Sequence, residues 1–198
     1  MASPFSQFIN DIKTILDEFF EPEDVVTRIE PLLADLVLNH DWLSWRFKRA
    51  LPDKPYSQYL LFSPPDKIFS VVSFVWRPDN GSPIHDHCTW GLIGQYEGEE
   101  EETRFRRLDD GTITEVSVGT FKAGDVSHVY PPHRDIHRIF NRTSAPTVSI
   151  HVYGGDIGTQ PRHVFDPTGQ TRPFMSGYDT PISDQTRPDQ EPARQKGS

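Results

Sequence analysis

One cysteine, Cys88, stands in a chain of 198 residues. No disulfide can therefore form within the chain, and a cysteine-built zinc site is excluded. Positive charge is also short, with 20 Lys and Arg against 29 Asp and Glu and a formal net charge of −9. Phosphate recognition draws on clustered basic side chains, and no basic stripe is present, so nucleic acid is not an expected partner. No apolar run approaches the roughly 20 residues that cross a bilayer, and the N-terminus shows neither the positive start nor the apolar stretch of a secretory signal. The expectation is a cytoplasmic chain with no membrane partner. What is there, 35% hydrophobic and 12% aromatic residues, suits a globular body of about one domain.

Residues 1–198 read as a single domain in three parts. Within 1–51, Phe5, Phe8, Ile9, Ile12, Ile15, Leu16 and Phe19 recur at the three-and-four spacing of an amphipathic helix, which Ser3 and Pro4 would start. A second helix is expected from about Asp24 to Leu38 and a third, shorter one from Trp42 to Leu51. From 55 to 165 the chain becomes a series of short β-rich runs, among them Ile68 to Trp76, Trp90 to Tyr96, Glu101 to Leu108 and Val148 to Tyr153. Turn signals separate them, including Asp79-Asn80-Gly81, Asp109-Asp110-Gly111 and Gly154-Gly155. Many short strands without intervening helices predict an antiparallel sandwich or barrel, with the helices packed on one side. The acidic run Glu97 to Glu102 is expected on a solvated hairpin edge, where like charge discourages edge pairing. Residues 166–198 are rich in Pro, Asp, Gln and Arg and cannot build a core. The first part of that segment is expected across the barrel, and the last ten or so residues are expected to be mobile.

The chemistry-bearing residues are histidines. His85 and His87 lie two apart in a run that reads as a strand, so they share a face and can point into one cavity. His137 follows in another strand-like run, just after Pro131-Pro132, while His133 falls in the turn itself. Three neutral imidazoles can hold one face of a transition metal and leave positions open. On Val148 to Tyr153, simple alternation puts either Ser149, His151 and Tyr153 or Val148, Ile150 and Val152 inward. Cys88, next to His87, is expected on the opposite strand face as a core residue.

Gly81 followed by His85 and His87, then about fifty residues later His137 with Asn141, resembles the two metal-binding motifs of the cupin fold, a double-stranded β-helix with a jelly-roll-like barrel. The glutamate that usually follows the cupin histidine pair is missing near Gly91. In this the stretch from about Tyr56 to Arg162 looks like the cysteine dioxygenase type of thiol dioxygenases, whose Fe(II) is held by three histidines. The resemblance implies a reaction that adds both atoms of O₂ to a thiol sulfur and gives a sulfinate. Three neutral ligands leave the iron its full charge, which favours a thiolate partner and helps deprotonate a bound thiol. It also implies that Ser149, His151 and Tyr153 form a hydrogen-bonded relay beside the iron. The position of the cysteine that some members cross-link to the tyrosine corresponds to Gly91, so no cross-link is expected.

The thiol is set by how its carboxylate is held. Cysteine-preferring members carry an arginine on an early strand where this sequence has Gln58. That resembles the bacterial glutamine-type branch associated with 3-mercaptopropionate, whose arginine comes after the Ser, His, Tyr strand, here Arg162. An arginine fork suits a carboxylate because it donates two parallel hydrogen bonds. Arg77, turned inward, would hold a second carboxylate as in mercaptosuccinate. Cysteine and mercaptosuccinate are the alternative substrates. A silent cupin that senses a metal or thiol, and a cupin enzyme with another metal, are the alternatives of other kinds, since three histidines also accept zinc, nickel or copper.

Overall fold

A computed structural model describes residues 2–181; the tail expected to be mobile lies outside them. Two helices open the chain, α1 (Pro4–Glu18) and α2 (Pro22–Leu38). Ser3 caps α1, its hydroxyl accepting from the Ser6 amide at 3.1 Å. The third expected helix is reduced to a 3-10 turn, Trp45–Lys48. Its backbone carbonyls are taken by the barrel instead: Ser73 Oγ donates to Phe47 O at 2.7 Å and the Tyr59 hydroxyl to Arg49 O at 2.6 Å. A helix through these residues would compete for the same acceptors.

The strands follow as β1 (Tyr56–Phe62), β2 (Ser70–Trp76), β3 (Asn80–Gly81), β4 (Ile84–His85), β5 (Gly91–Glu97), β6 (Glu99–Arg107), β7 (Ile113–Lys122), β8 (Val126–Val129), β9 (Ile136–Asn141), β10 (Thr147–Tyr153), β11 (Arg162–Phe165) and β12 (Thr171–Phe174). One sheet runs β1-β2-β10-β5-β8; the other runs β12-β11-β4-β9-β6-β7, with β3 paired to β9. Every pair is antiparallel. From β2 onward the chain crosses back and forth between the sheets, the consecutive pairs β3-β4, β6-β7 and β11-β12 apart, which is the winding of a double-stranded β-helix. The expected mainly β barrel with N-terminal helices is thus the observed architecture.

Strands β2 and β10 are buried along their whole length, hence on both faces. Outward, Val71, Val75, Val148, Ile150 and Val152 join Val25, Val26, Ile29 and Leu33 of α2 in one apolar cluster. Inward, Val72, Phe74, Trp76 and Tyr153 join Ile139 and Ile157. Because helices cover the outside of the first sheet, its inner face can hold polar groups without losing the apolar core. Residues after β12 return to the barrel mouth, where the Asp179 amide donates to Gln58 O at 2.7 Å and Asp179 Oδ2 accepts from Gln58 N at 3.0 Å.

The acidic run departs from expectation. Strand β6 lies between β9 and β7, and alternation turns Glu100 and Glu102 inward, each 2% exposed. Cys88 departs too: it is exposed, with φ +56, because the chain leaves β4 after His85 and turns.

Candidate metal centre and adjoining cavity

His85 and His137 face each other across the β4-β9 pair. His87 lies past the end of β4, so a shared strand face is not what brings it in. Its backbone and ring are instead held by Asp135, whose Oδ1 accepts from His87 N and from Nδ1, both at 3.0 Å, while Oδ2 accepts from Cys88 N at 2.9 Å. The three rings stand 4.8 Å apart, centroid to centroid, in every pairing. One ring nitrogen from each lies within 4.8 Å of the others. His133 is exposed and outside the group.

In each ring Nδ1 is matched to an acceptor. Pro83 O serves His85 at 3.0 Å, Asp135 serves His87, and Glu102 Oε1 serves His137 at 2.7 Å. The protons therefore sit on Nδ1, which leaves three Nε2 lone pairs as ligands. His87 Nε2 is buried with no hydrogen-bond partner, which a metal would supply. Burial, together with the neighbouring histidines and Arg162, pushes the pKa values of His85 and His87 well below the usual histidine range. They are neutral, as metal ligation requires. Burial alone would raise Glu102, but the hydrogen bond from His137 Nδ1, with Arg104 and Ser127, holds it at about 2. The residues present fit a divalent transition metal.

Sequence reading missed Glu102 and Asp135. Alternation along β6 was the available signal for Glu102, obscured by four consecutive glutamates, 99–102. Asp135, two residues before His137, gave no local sign of its role.

A narrow cavity adjoins the histidines, with His85, His137, His151 and Tyr153 in its wall. Ser149, His151 and Tyr153 do face inward: Ser149 Oγ is 2.9 Å from His151 Nε2, and His151 Nδ1 is 2.7 Å from the Tyr153 hydroxyl. Gly91 lies opposite Tyr153 across β5 and β10; a Cβ there would come within 2.6 Å of the tyrosine ring. Gln58 and Arg162 line the same cavity. Gln58 Nε2 and Arg162 Nε are buried without partners, while Arg162 Nη2 donates to Ile157 O at 3.2 Å and to Ser176 Oγ at 2.6 Å. Burial lowers the Arg162 pKa from its usual value. Tyr56, Phe74, Trp76 and Phe174 form apolar walls.

Arg77 is not part of this group. Its guanidinium donates to Pro52 O, and it lines a separate surface groove with Lys48, Arg49 and Glu97. The conditional role of Arg77 as holder of a second carboxylate, which required an inward turn, is thereby corrected: the backbone carbonyl of the segment before β1 holds the side chain outside the barrel.

No protein-family model matches the chain. Among solved structures, oxalate oxidase in complex with its substrate analogue glycolate is 15% identical with a TM-score of 0.44, over 57% of this chain and 59% of that one. The match thus spans less than two thirds of the oxalate oxidase chain. A cupin 2 conserved barrel domain protein from Salinispora arenicola is 20% identical, TM-score 0.40, over 53% and 80%. The cupin 2 domain of an XRE family transcriptional regulator from Enterobacter cloacae is 15% identical, TM-score 0.38, over 52% and 99%. The barrel winding stands on strand order, and these similarities add no residue role.

Proposed function

We propose that this chain is an Fe(II)-dependent thiol dioxygenase acting on a small carboxylated thiol, with 3-mercaptopropionate preferred: R–SH + O₂ gives R–SO₂H. The observation that carries the reading is the union, at one cavity, of a buried three-histidine cluster with a buried arginine whose Nε lacks a partner. Bound iron(II) would supply the place where sulfur and O₂ meet and exchange electrons. The chain's own groups do the rest. Arg162 and Gln58 offer unpartnered N–H groups for a carboxylate, which charge-assisted hydrogen bonds hold well in a desolvated site. The aromatic walls exclude water, and the Tyr153 hydroxyl gives or accepts a proton at the cavity surface.

Among the described residues lining the cavity none is acidic. The ammonium of cysteine would lie there without a counter-charge, which 3-mercaptopropionate avoids. With Arg77 held outside, mercaptosuccinate has no second carboxylate partner.

The test is oxygen uptake by anaerobically Fe(II)-loaded protein with 3-mercaptopropionate, cysteine, cysteamine and mercaptosuccinate in parallel, the sulfinate being identified by mass. Uptake matched by sulfinate, fastest with 3-mercaptopropionate, is expected. His137→Ala should lose both iron retention and turnover. No uptake with any thiol from protein that holds iron would turn the reading toward a binding protein or another cupin reaction.

A further inference from the structure

Glu100 has no part in the reading above, yet it is 2% exposed on the inner face of β6. A buried carboxyl needs partners. Its Oε1 accepts from Gln95 Nε2 at 3.1 Å and from Thr147 Oγ1 at 2.9 Å. Its Oε2 is buried with no hydrogen-bond partner, and the Ser149 side chain faces the carboxyl. Ser149 is the inner end of the line that runs through His151 to Tyr153 and opens on the cavity. The carboxyl therefore stands directly behind that line.

Each member carries a fixed number of hydrogens. Ser149 has one, and its oxygen already accepts from Trp76 Nε1 at 3.0 Å. His151 is neutral and has one ring N–H, because burial lowers its pKa well below the usual range; His137, His87 and Arg162 add to this and Glu102 opposes it. Tyr153 keeps its hydrogen, since burial raises its pKa against the opposing charge of Arg162. Two orderings satisfy these counts. In the first, Ser149 donates toward Glu100, His151 Nε2–H donates to Ser149, and Tyr153 donates to Nδ1 and turns a lone pair to the cavity. In the second, one further proton sits on Glu100 Oε2 and is donated to Ser149. Ser149 then donates to Nε2, Nδ1–H donates to Tyr153, and Tyr153 turns its O–H to the cavity. The two differ by one proton taken up at Glu100 and by the tautomer of His151.

We infer that Glu100 is a positioning residue whose charge state sets the direction of the Ser149, His151, Tyr153 line, and so decides whether Tyr153 offers the cavity a lone pair or a proton. Burial raises the Glu100 pKa to about 7, against the hydrogen bonds from Gln95 and Thr147 and the nearby Ser149 hydroxyl. Both orderings are thus reached near neutrality. The side chains bonded to the carboxyl, Gln95 from β5 and Thr147 from β10, are neutral, as is the nearby Ser149. Glu102, on the same face of β6, is engaged by His137 and Arg104. Where the chemistry is that of the proposed dioxygenase, on which the value of the switch rests, a lone pair on Tyr153 suits an incoming S–H. A donor there suits the anionic sulfinate that leaves.

The tautomer can be read without turnover. Full-length ¹⁵N-labelled protein, loaded with Zn(II) as a diamagnetic ion, would be titrated between about pH 5 and 9 while the two ring nitrogens of His151 are followed. The wild type should pass from the Nδ1–H to the Nε2–H form as pH rises, with its midpoint at the Glu100 titration. Glu100→Gln should stay in the Nδ1–H form throughout. Its amide oxygen can take the Gln95 and Thr147 bonds and its NH₂ can face Ser149, which reproduces the neutral acid. Ser149→Ala should abolish the response. A wild-type tautomer that does not change with pH, or an unaltered switch in Glu100→Gln, would overturn the proposal. A switching His151 in protein that consumes no O₂ with any thiol would support it and sink the dioxygenase reading instead, whereas a fixed tautomer in an active enzyme would do the reverse.

Discussion

Each histidine of the cluster is aimed by a partner behind it, so the substitutions that report most on the site are at residues that never touch the ion. Glu102→Gln removes the charge that His137 Nδ1 is bound to at 2.7 Å. It should weaken metal binding roughly 10- to 100-fold with the fold intact, read by competition against a chelator of known affinity. An unchanged affinity would leave Glu102 only a structural partner of Arg104 and Ser127. Arg162→Ala should spare the metal and raise KM for a carboxylated thiol by roughly 10- to 100-fold, the weight of a charged hydrogen-bonded pair. The same change at Arg77 should leave KM unmoved. A KM insensitive to Arg162 would remove its assigned contact.

At the scale of elements, β10 separates two jobs by its two faces. Ile150 packs outward against the helices and is fully buried, while Ser149, His151 and Tyr153 take the inner face, the last two lining the cavity. Ile150→Ala should cost about 2–5 kcal/mol of stability, measured by urea unfolding, with the substrate dependence of any turnover unchanged. A loss under about 1 kcal/mol would mean that the helix layer contributes little there. Which face of β10 was polar-inward could not be read from alternation alone, because the helices bury the aliphatic face as thoroughly as the barrel buries the other. The family resemblance, not the period, settled it. The helices and most strands were legible because their apolar spacing is regular. Three features were not, each for a tertiary reason. Residues 42–51 give their carbonyls to barrel side chains, Glu100 and Glu102 find donors inside the barrel, and Cys88 sits where the chain turns out of a strand too short to include His87.

For the molecule as a whole, two glutamates on one face of β6 pull its pH response in opposite directions. Glu100 is raised to about 7 from an unfolded value near 4.5. The folded chain therefore keeps a proton that the unfolded chain releases, and stability from this group is full below about 4.5 and declines up to about 7. The decline is at most about 3 kcal/mol. Glu102, held at about 2, contributes stability above its unfolded pKa that is lost as pH falls toward 2. Glu100→Gln should accordingly flatten the loss between about pH 4.5 and 7 in urea unfolding while leaving the acid limb in place. An identical profile in variant and wild type would show that Glu100 is ionised throughout.

The pairing of β4 with β9 has a consequence for how the chain comes into being. A protein emerging from the ribosome presents His85 and His87 long before His137 is made, and Arg162 follows later still. These contacts are far apart along the chain, and such closures come late in folding. A nascent or truncated chain that ends before residue 135 carries a two-histidine half-site without Asp135, the residue that holds His87 in place. The three-histidine cluster is therefore complete only once β9 has paired with β4.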